Sequence, residues 1–175
     1  MAEWKKRVSE YKERLVAINR ITKVVKGGRR FGFAALMVVG NEKGSIGVGS
    51  GKSKQVPDAI KKATQDATRN LIKISLKDGR TLHHDVKGRN GSGKVIMRSA
   101  PAGTGIIAGG PIRAVCDVLG IQDIVAKSVG SANPHNVVKA SVAALLSQAS
   151  PKLLSAMRGK KISEIVSKRE NTKWN

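Results

Sequence analysis

Apolar and polar positions alternate along the first third of the chain, which is the pattern of half-buried β-strands. Three strands are predicted, and only Arg20 interrupts the apolar alternation of the first. Their ranges are Leu15–Val25, Phe31–Val39 and the glycine-rich Ser45–Ser50. The segments between and after them are predicted as a turn at Lys26–Arg30, a hairpin loop at Gly40–Gly44 and a basic loop at Gly51–Gln55.

The apolar period then changes from two residues to between three and four, which predicts a helix. Val56, Ile60, Ala63, Ala67 and Leu71 share one face of it, and a proline suits its first turn. The first half of the chain therefore has the order β-β-β-α. Together with the mixed second half, this order places the chain in the α+β class.

The second half combines strands and helices around a glycine tract at Ala102–Gly110. Predicted strands lie at Thr81–Val86, Lys94–Ser99 and Ile124–Val129, and a basic loop at Lys87–Gly93 joins the first two. Helices are predicted at Pro111–Leu119, ending at Gly120, and from Asn133-Pro134 to about Ala149. A short third helix begins at Ser150-Pro151.

Breaks in the pattern divide the chain into four segments, with the main boundary near residue 75. We expect an N-terminal arm at 1–14, a first domain at 15–75, a C-terminal α/β domain at 76–159 and a basic tail at 160–175. A chain of 175 residues is long enough for one ordinary domain or for two small ones with separate cores.

Charge narrows the possible partners. Lys and Arg number 33 against 12 Asp and Glu, a formal net charge of +21. A compact protein with this charge repels itself, and a polyanionic partner relieves the repulsion. No apolar run is long enough to span a membrane, and no long amphipathic face concentrates the cations. We therefore expect nucleic acid as the partner and no membrane.

Few aromatic residues are present, and this favours structured RNA over single strands. The chain has only 2 Trp, 1 Tyr and 2 Phe, whereas readers of single strands stack bases on aromatic rings. Recognition of folded RNA depends on phosphates, 2′-hydroxyls and shape, which suits a chain with 33 cations and 19 glycines.

Cations cluster around glycines in a way that suits phosphate contact, because glycine lets the backbone approach closely. The strongest case is the turn at Lys26–Arg30 and the strand before it. The alternative is a solvated basic turn. The predicted RNA-binding residues are Arg20, Lys23, Lys26, Gly27, Gly28, Arg29, Arg30, Lys52, Lys54, Lys61, Lys62, Arg69, Lys87, Arg89 and Lys94.

Three glycine-rich stretches approach nucleotide-binding motifs without matching them. Gly47–Lys54 lacks the GxxxxGK[ST] spacing, because Ile46 stands where a glycine is needed. Gly88–Val95 has the spacing, but Val95 replaces the hydroxyl that would hold magnesium, and a strand follows where a helix should. Gly103–Gly110 contains GxGxxA with Asp123 about 20 positions on, as a dinucleotide site expects, but its helix starts late. Phosphate contact with RNA explains the first two stretches better, and close backbone packing or a protein contact explains the third.

Isolated reactive residues add no catalytic site. His83 and His84 are neighbours on a predicted strand, so their rings should point to opposite faces and cannot chelate one ion. Cys116 is the only cysteine and lies between apolar residues, as expected of a core thiol in an intracellular, reducing compartment. We expect no enzyme, no cofactor and no metal. The segment Met1–Arg14 lacks the apolar middle of a secretory signal.

Three stretches of the chain resemble the bacterial-type fifth protein family of the small ribosomal subunit. They are NRITKVVKGGRRFGFAALMVVGNEKGSIGVGSGKSKQVPDAIKKA, VKGRNGSGKV and RSAPAGTGIIAGGPIRAVCDVLGIQDIVAKSVGSANPHNVVKA. The similarity extends from about Leu15 to about Lys168, nearly the whole chain. It implies a first domain similar to a double-stranded-RNA-binding domain without its first helix. It also implies a second, two-layer α/β domain with a left-handed βαβ crossover.

The resemblance also implies a place and partners. Members of the family bind 16S-type ribosomal RNA at the junction of the head and body, near the messenger RNA entry tunnel. They contact the fourth and eighth small-subunit proteins and support translational accuracy. On this sequence the family's RNA-binding hairpin corresponds to Thr22–Phe31, close to the spectinomycin site. Its contact with the fourth protein corresponds to Gly103, Gly105 and Arg113. A cytoplasmic, ribosome-bound protein is therefore expected.

Two other classes of function stay open from the residues alone. A stand-alone RNA chaperone or double-stranded-RNA binder would need only the first domain. A small nucleotide-dependent enzyme would need the loop that contains Lys94.

Overall fold

The computed structural model describes residues 11–171, which form two β-sheets and five helices. The strands are β1 (Lys12–Val25), β2 (Gly28–Gly40), β3 (Ser45–Ser53), β4 (Leu71–Lys73), β5 (Val86–Asn90), β6 (Gly93–Ser99), β7 (Ile106–Ile107) and β8 (Ile124–Gly130). The helices are α1 (Val56–Arg69), α2 (Gly110–Leu119), α3 (Pro134–Ser147), α4 (Pro151–Arg158) and α5 (Ile162–Asn171). Residues 1–10 of the predicted N-terminal arm lie outside the described part of the chain, and Lys12–Arg14 belong to β1.

The first sheet is antiparallel, with the strand order β1-β2-β3-β4. The predicted β-β-β-α order is confirmed, and a short fourth strand, β4, follows the helix. The predicted basic loop at Gly51–Gln55 is wrong for its first three residues, which extend β3 to Ser53. A bulge between Leu15 and Ala17 shifts the register of β1, so these two residues do not share a face as the simple alternation suggested.

Helix α1 packs unusually close to β3, because three alternating glycines face it. A Cβ on Gly47 would lie 2.1 Å from the carbonyl oxygen of Ala67, and one on Gly51 would lie 2.3 Å from that of Ala59. Gly49, between them, meets Ala63 in the same way. The interpretation of this tract as a phosphate-binding loop is therefore wrong for its glycines, which are buried in helix–sheet packing.

The second sheet has the order β5-β6-β8-β7 and is antiparallel except for its last pair. Strands β7 and β8 are parallel and are joined through α2, which makes a βαβ unit as the resemblance implied. The hand of this crossover stays a prediction. Helix α3 covers the inner face of the sheet, where Gly88 of β5 lies against the backbone of Ala140 and Ala144.

The start of the second half differs from the prediction. Thr81–Val86 is not a strand, because only Thr81 forms an isolated bridge, to Lys77, and β5 begins at Val86. The predicted loop Lys87–Gly93 is mostly a β-hairpin. The two histidines therefore lie in an irregular segment, not on a strand. His83 contacts the Ser75 hydroxyl, and Nε2 of His84 accepts a hydrogen bond from the Ala149 amide at 3.0 Å.

One hydrophobic core contains residues of both sheets. Leu36, Val38 and Ile46 of the first sheet cluster with α2, α3 and the inner face of the second sheet. A smaller cluster, with Ala35 and Met37, lies between the first sheet and α1. The two halves therefore share the larger core, and the domain boundary at residue 75 stays a prediction.

Backbone hydrogen bonds also join the two halves. The amides of Glu42 and Gly44, in the β2–β3 loop, donate to the carbonyls of Val118 and Leu119 at 3.1 Å each. These carbonyls belong to the last turn of α2, where a helix has no partner of its own for its terminal C=O groups. The helix ends at Gly120 with φ +92°, in the left-handed cap that the sequence predicted. A loop of one half thus completes a helix of the other.

The predicted basic tail is largely helical. After Gly159, helix α5 follows α4 and packs against it, and the Ile165 side chain is buried. Residues 172–175 lie outside the described part of the chain.

Candidate nucleic-acid interface

Strands β1 and β2 extend beyond the rest of the first sheet as a two-stranded arm, defined as residues 21–32. The last pair between β2 and β3 is Phe33 with Ser53, and the pairs from Ile21–Gly32 to Val25–Gly28 lie past it. The arm is about 15 Å long at the usual rise per residue of a strand. It turns at Lys26-Gly27, and Gly28 follows with φ +119°, which an L-residue rarely adopts.

The predicted cations of the arm are all exposed. Lys23 lies beside Arg30, and Arg29 beside Val24, whose side chain is 74% exposed. Arg20, at the base, lies over the Phe31 ring with its guanidinium carbon 3.9 Å from the ring centroid. This contact explains why a cation interrupts the apolar alternation of β1, and it fixes a positive charge on one face of the arm.

A shallow depression of about 640 Å³ lies where the arm meets the ends of β3 and α1. Its cations come from β1, β2, β3, α1 and the loop between β3 and α1. They are Lys23, Arg30, Lys52, Lys62 and Lys54. Asp58 is the one acid in its lining. The first turn of α1 also opens here, and Gln55 makes no side-chain cap on its amides. Five cations and a helix N-terminus around one opening form a site suited to phosphate groups. We call the arm and this depression the arm cluster.

A second group of cations lies on the outer face of the second sheet. Lys87 and Arg89 of β5 and Lys94 of β6 are exposed on the side opposite to the core. Sequence reasoning missed two further cations on this face, Arg98 of β6 and Lys127 of β8. Alternation of cations with buried residues along these strands was the available signal, but only the register brings the five side chains together.

Two predicted RNA-binding residues, Lys61 and Arg69, lie outside both the arm cluster and the outer face of the second sheet, although both are exposed. Lys61 neighbours Lys62 on α1 but does not line the depression. Arg69 lies in the last turn of α1, roughly 10 Å from Lys62 along the helix axis. A cation there stabilises the negative end of the helix dipole, which is a structural reason for Arg69. The RNA-binding role of every predicted residue stays a prediction.

Some glycines have no packing reason inside the described structure. A Cβ on Gly27, Gly109 or Gly110 would meet no heavy atom within 4 Å, and none of these residues has a positive φ. Gly103 and Gly105 are equally open, with φ +91° and +73°. Close packing within the chain therefore does not explain the glycine tract. The positive φ accounts for glycine at positions 103 and 105, and an approaching partner would account for Gly109 and Gly110. Arg113 is exposed on the helix that follows.

Asp123 anchors this tract from inside the protein. Its buried carboxylate accepts hydrogen bonds from Nε of Arg80 and from the Gly105 amide, the latter at 3.0 Å. The Arg80 hydrogen bond, followed by that of the Gly105 amide, lowers the pKa of the Asp123 carboxyl below its ordinary value. Because this carboxylate is hydrogen-bonded within the protein, it is not available to a ribose. The acidic residue that a dinucleotide site would need at this position is therefore already used in the fold.

Replacing Asp123 by asparagine is expected to lower the urea midpoint at pH 7 and to loosen the glycine tract. The folded-state pKa lies below the unfolded one, so the carboxylate's stabilisation is present above about pH 4 and is lost as pH falls through the folded pKa. The difference between parent and variant should therefore shrink in acid. Urea titrations at neutral and acidic pH check this, with the exposed Asp78→Asn as control. A difference that grows in acid would contradict the assignment.

The remaining reactive residues are structural. Cys116 is fully buried, and burial, with a smaller effect of Asp117, raises the pKa of its thiol to about 12, which confirms the expected core thiol. Among residues 11–171, no group of three or more His, Cys, Asp and Glu could hold a metal ion. No helix in that range is long and apolar enough to cross a membrane.

Two sheets that each carry a cluster of exposed cations are typical of the polyanion-binding class of proteins. Comparison with known proteins gives the family. The profile of "Ribosomal protein S5, N-terminal domain" matches residues 11–75, and that of "Ribosomal protein S5, C-terminal domain" matches residues 88–158.

Three curated relatives are similar to nearly the whole chain, and each is named small ribosomal subunit protein uS5. The protein of Pelagibacter ubique is 66% identical over 157 residues, covering 90% of this chain and 92% of its own. That of Methylobacterium radiotolerans is 61% identical over 165 residues, covering 94% and 85%. That of Paramagnetospirillum magneticum is 60% identical over 162 residues, covering 93% and 77%.

The chain belongs to the ribosomal protein S5 family of bacterial type. The resemblance found in the sequence is confirmed, and so is the mixed α/β, two-part fold. Members of this family are structural, RNA-binding components of the small ribosomal subunit and not enzymes, so the alternative of a nucleotide-dependent enzyme is wrong.

Proposed function

We infer that this chain binds small-subunit ribosomal RNA at the head–body junction, near the messenger RNA entry tunnel, and supports translational accuracy. The observation that carries this proposal is the arm cluster. The arm and the depression together carry seven exposed cations, five of which line one opening with a single acid. Neutralised phosphates and released counterions would supply the binding free energy.

The join between the two halves supports a mechanical role. Their shared core and the loop-to-helix hydrogen bonds let the chain act as a rigid wedge. The arm would bind RNA on one side of the junction while the second half binds on the other. Rigidity matters because a flexible connection would let the head move against the body without resistance.

The open glycine tract is proposed to contact the fourth small-subunit protein. Gly103, Gly105 and Arg113 are exposed or half-exposed, and no heavy atom of the described chain lies within 4 Å of the Cβ position of either glycine. The eighth protein is proposed as a further neighbour of the second half. In a cell the chain would be ribosome-bound and cytoplasmic.

Gly28→Asp is expected to weaken the arm's contact with RNA while leaving the fold intact. The variant adds a negative charge and forces a strained φ of +119° at the arm's turn, but no heavy atom lies within 4 Å to transmit the strain. Cells that carry the variant should show an altered response to spectinomycin, with normal amounts of the protein in their small subunits. An unchanged response would count against the proposal. Gly79→Asp makes the same change at another open glycine with a positive φ, away from the arm, and is the control.

A further inference from the structure

The outer face of the second sheet carries more positive charge than the predicted RNA-binding residues indicate. We propose that this face is a second RNA surface, which binds the backbone of a double-helical segment independently of the arm cluster. This inference rests on the proposed function, because it assumes that ribosomal RNA is the partner.

Register places the outward side chains in three rows across the sheet. The first row is Arg89, Lys94 and Val129, and the second is Lys87, Ile96 and Lys127. The third contains Arg98, Val125 and Ile107. Five of these nine positions are cations and none is an acid. Neighbouring strands lie about 4.8 Å apart and outward residues about 6.7 Å apart along a strand, so the cations cover one compact surface.

Acidic residues near this face neutralise little of its positive charge. Asp85, just before β5, lies 3.7 Å from Nε of Arg98 at one corner of the sheet. Both side chains are more than half exposed, so water screens this pair strongly. Lys87, Lys94 and Lys127 have no carboxylate partner within 4.0 Å among the residues that the structure describes.

The residues of this face indicate which kind of partner it binds. Sheets that bind splayed bases present aromatic rings for stacking, and this face has none. Lysine is depleted at the centres of protein–protein interfaces, whereas three of the nine outward residues here are lysines. The aliphatic side chains between them are shorter, so the longer cationic chains project beyond them. An A-form helix offers such a surface phosphates and 2′-hydroxyls along a wide, shallow groove.

Lysine acylation tests coverage of the face in intact small subunits that contain the natural protein. Acylation rates of Lys94 and Lys127 should be roughly tenfold lower in the subunit than in the free chain, because a charge-assisted bond to phosphate holds the amine protonated and shields it. Lys139, exposed on α3 on the other side of the sheet, is the internal comparison, and Lys23 and Lys26 report on the arm. Unchanged rates at Lys94 and Lys127 would overturn the inference.

Directed hydroxyl-radical cleavage in reconstituted small subunits identifies what covers the face. An iron chelate tethered at Val129→Cys, beside Lys94 on the outer face, should cut the sugar-phosphate backbone of both strands of a double-helical segment, while the buried Cys116 stays unlabelled. Protected lysines together with cleavage of single-stranded RNA alone, or with no RNA cleavage near the tether, would overturn the inference. Protection of Lys23 and Lys26 without protection of Lys94 and Lys127 would contradict the inference about this face but not the proposed function. Exposure of all four lysines would contradict both.

Discussion

Gly49→Ala is expected to destabilise the protein by roughly 3 kcal/mol or more, which is in the range of severe overpacking in a core. The added Cβ would lie 2.2 Å from the Ala63 carbonyl oxygen and 2.3 Å from the Ala67 amide nitrogen. Both atoms belong to the backbone of α1 and cannot rotate away as a side chain could. The helix must therefore move off the sheet, which opens the small core around Ala35 and Met37.

Gly110→Ala is the matched control, because it makes the same chemical change where there is space. Gly110 lies in the first turn of α2, with no heavy atom within 4 Å of the added Cβ and no positive φ. Alanine in a helix is favoured over glycine by up to about 1 kcal/mol, so this variant should be neutral or more stable. Urea unfolding of the full chain measures both. Equal losses of stability in the two variants, or no loss in Gly49→Ala, would contradict the packing described here.

Removing two positive charges from the arm is expected to weaken binding to the small subunit more than removing two positive charges elsewhere on the surface. Lys23 and Arg30 lie side by side in the register and both line the depression. In Lys23→Gln/Arg30→Gln, the slope of log affinity for the small subunit against log salt should decrease by about two, close to one for each lost phosphate contact. The free energy of unfolding should change by less than about 1 kcal/mol, because both side chains are exposed.

A control with the same loss of charge separates local contact from net charge. Lys43→Gln/Lys139→Gln removes two exposed cations outside the arm cluster and the outer face of the second sheet. Release of the protein from small subunits in salt-gradient centrifugation compares the two double variants directly. If both dissociate at the same salt concentration, overall charge and not the arm cluster governs binding.

Periodicity in the sequence predicted most of the regular structure. Helices α1, α2 and α3 and strands β1, β2 and β8 lie within a few residues of their predicted bounds, because long apolar patterns and capping residues specify them locally. The Gly120 and Asn133 caps are both observed. Strand β4 has only three residues and depends on pairing with β3, so nothing local indicates it. The strand predicted at Thr81–Val86 was wrong for a related reason. Leu82 and Val86 are buried by the fold around them and do not form an alternating strand face.

Glycines were the least predictable feature of the candidate site. Gly47, Gly49 and Gly51 occur beside Lys52 and Lys54, which makes the segment similar to a phosphate-binding loop. Their spacing of two was the contrary signal, because it places all three on one face of a strand. The arm could be predicted from local sequence, since its cations are neighbours along the chain. Arg98 and Lys127 could not be grouped with Lys94 without the register, because β6 and β8 are separated by the glycine tract and a helix.

The most direct test of the central claim is sedimentation of a tagged copy of the full chain from cell lysate through a sucrose gradient, at low and then at moderate salt. A ribosomal RNA-binding protein should migrate with the small subunit and stay there after the moderate-salt wash, since many phosphate contacts must break together. The Lys23→Gln/Arg30→Gln variant should leave the subunit at lower salt than the parent. A parent protein found wholly in the light fractions would contradict the ribosomal assignment and favour a stand-alone RNA binder.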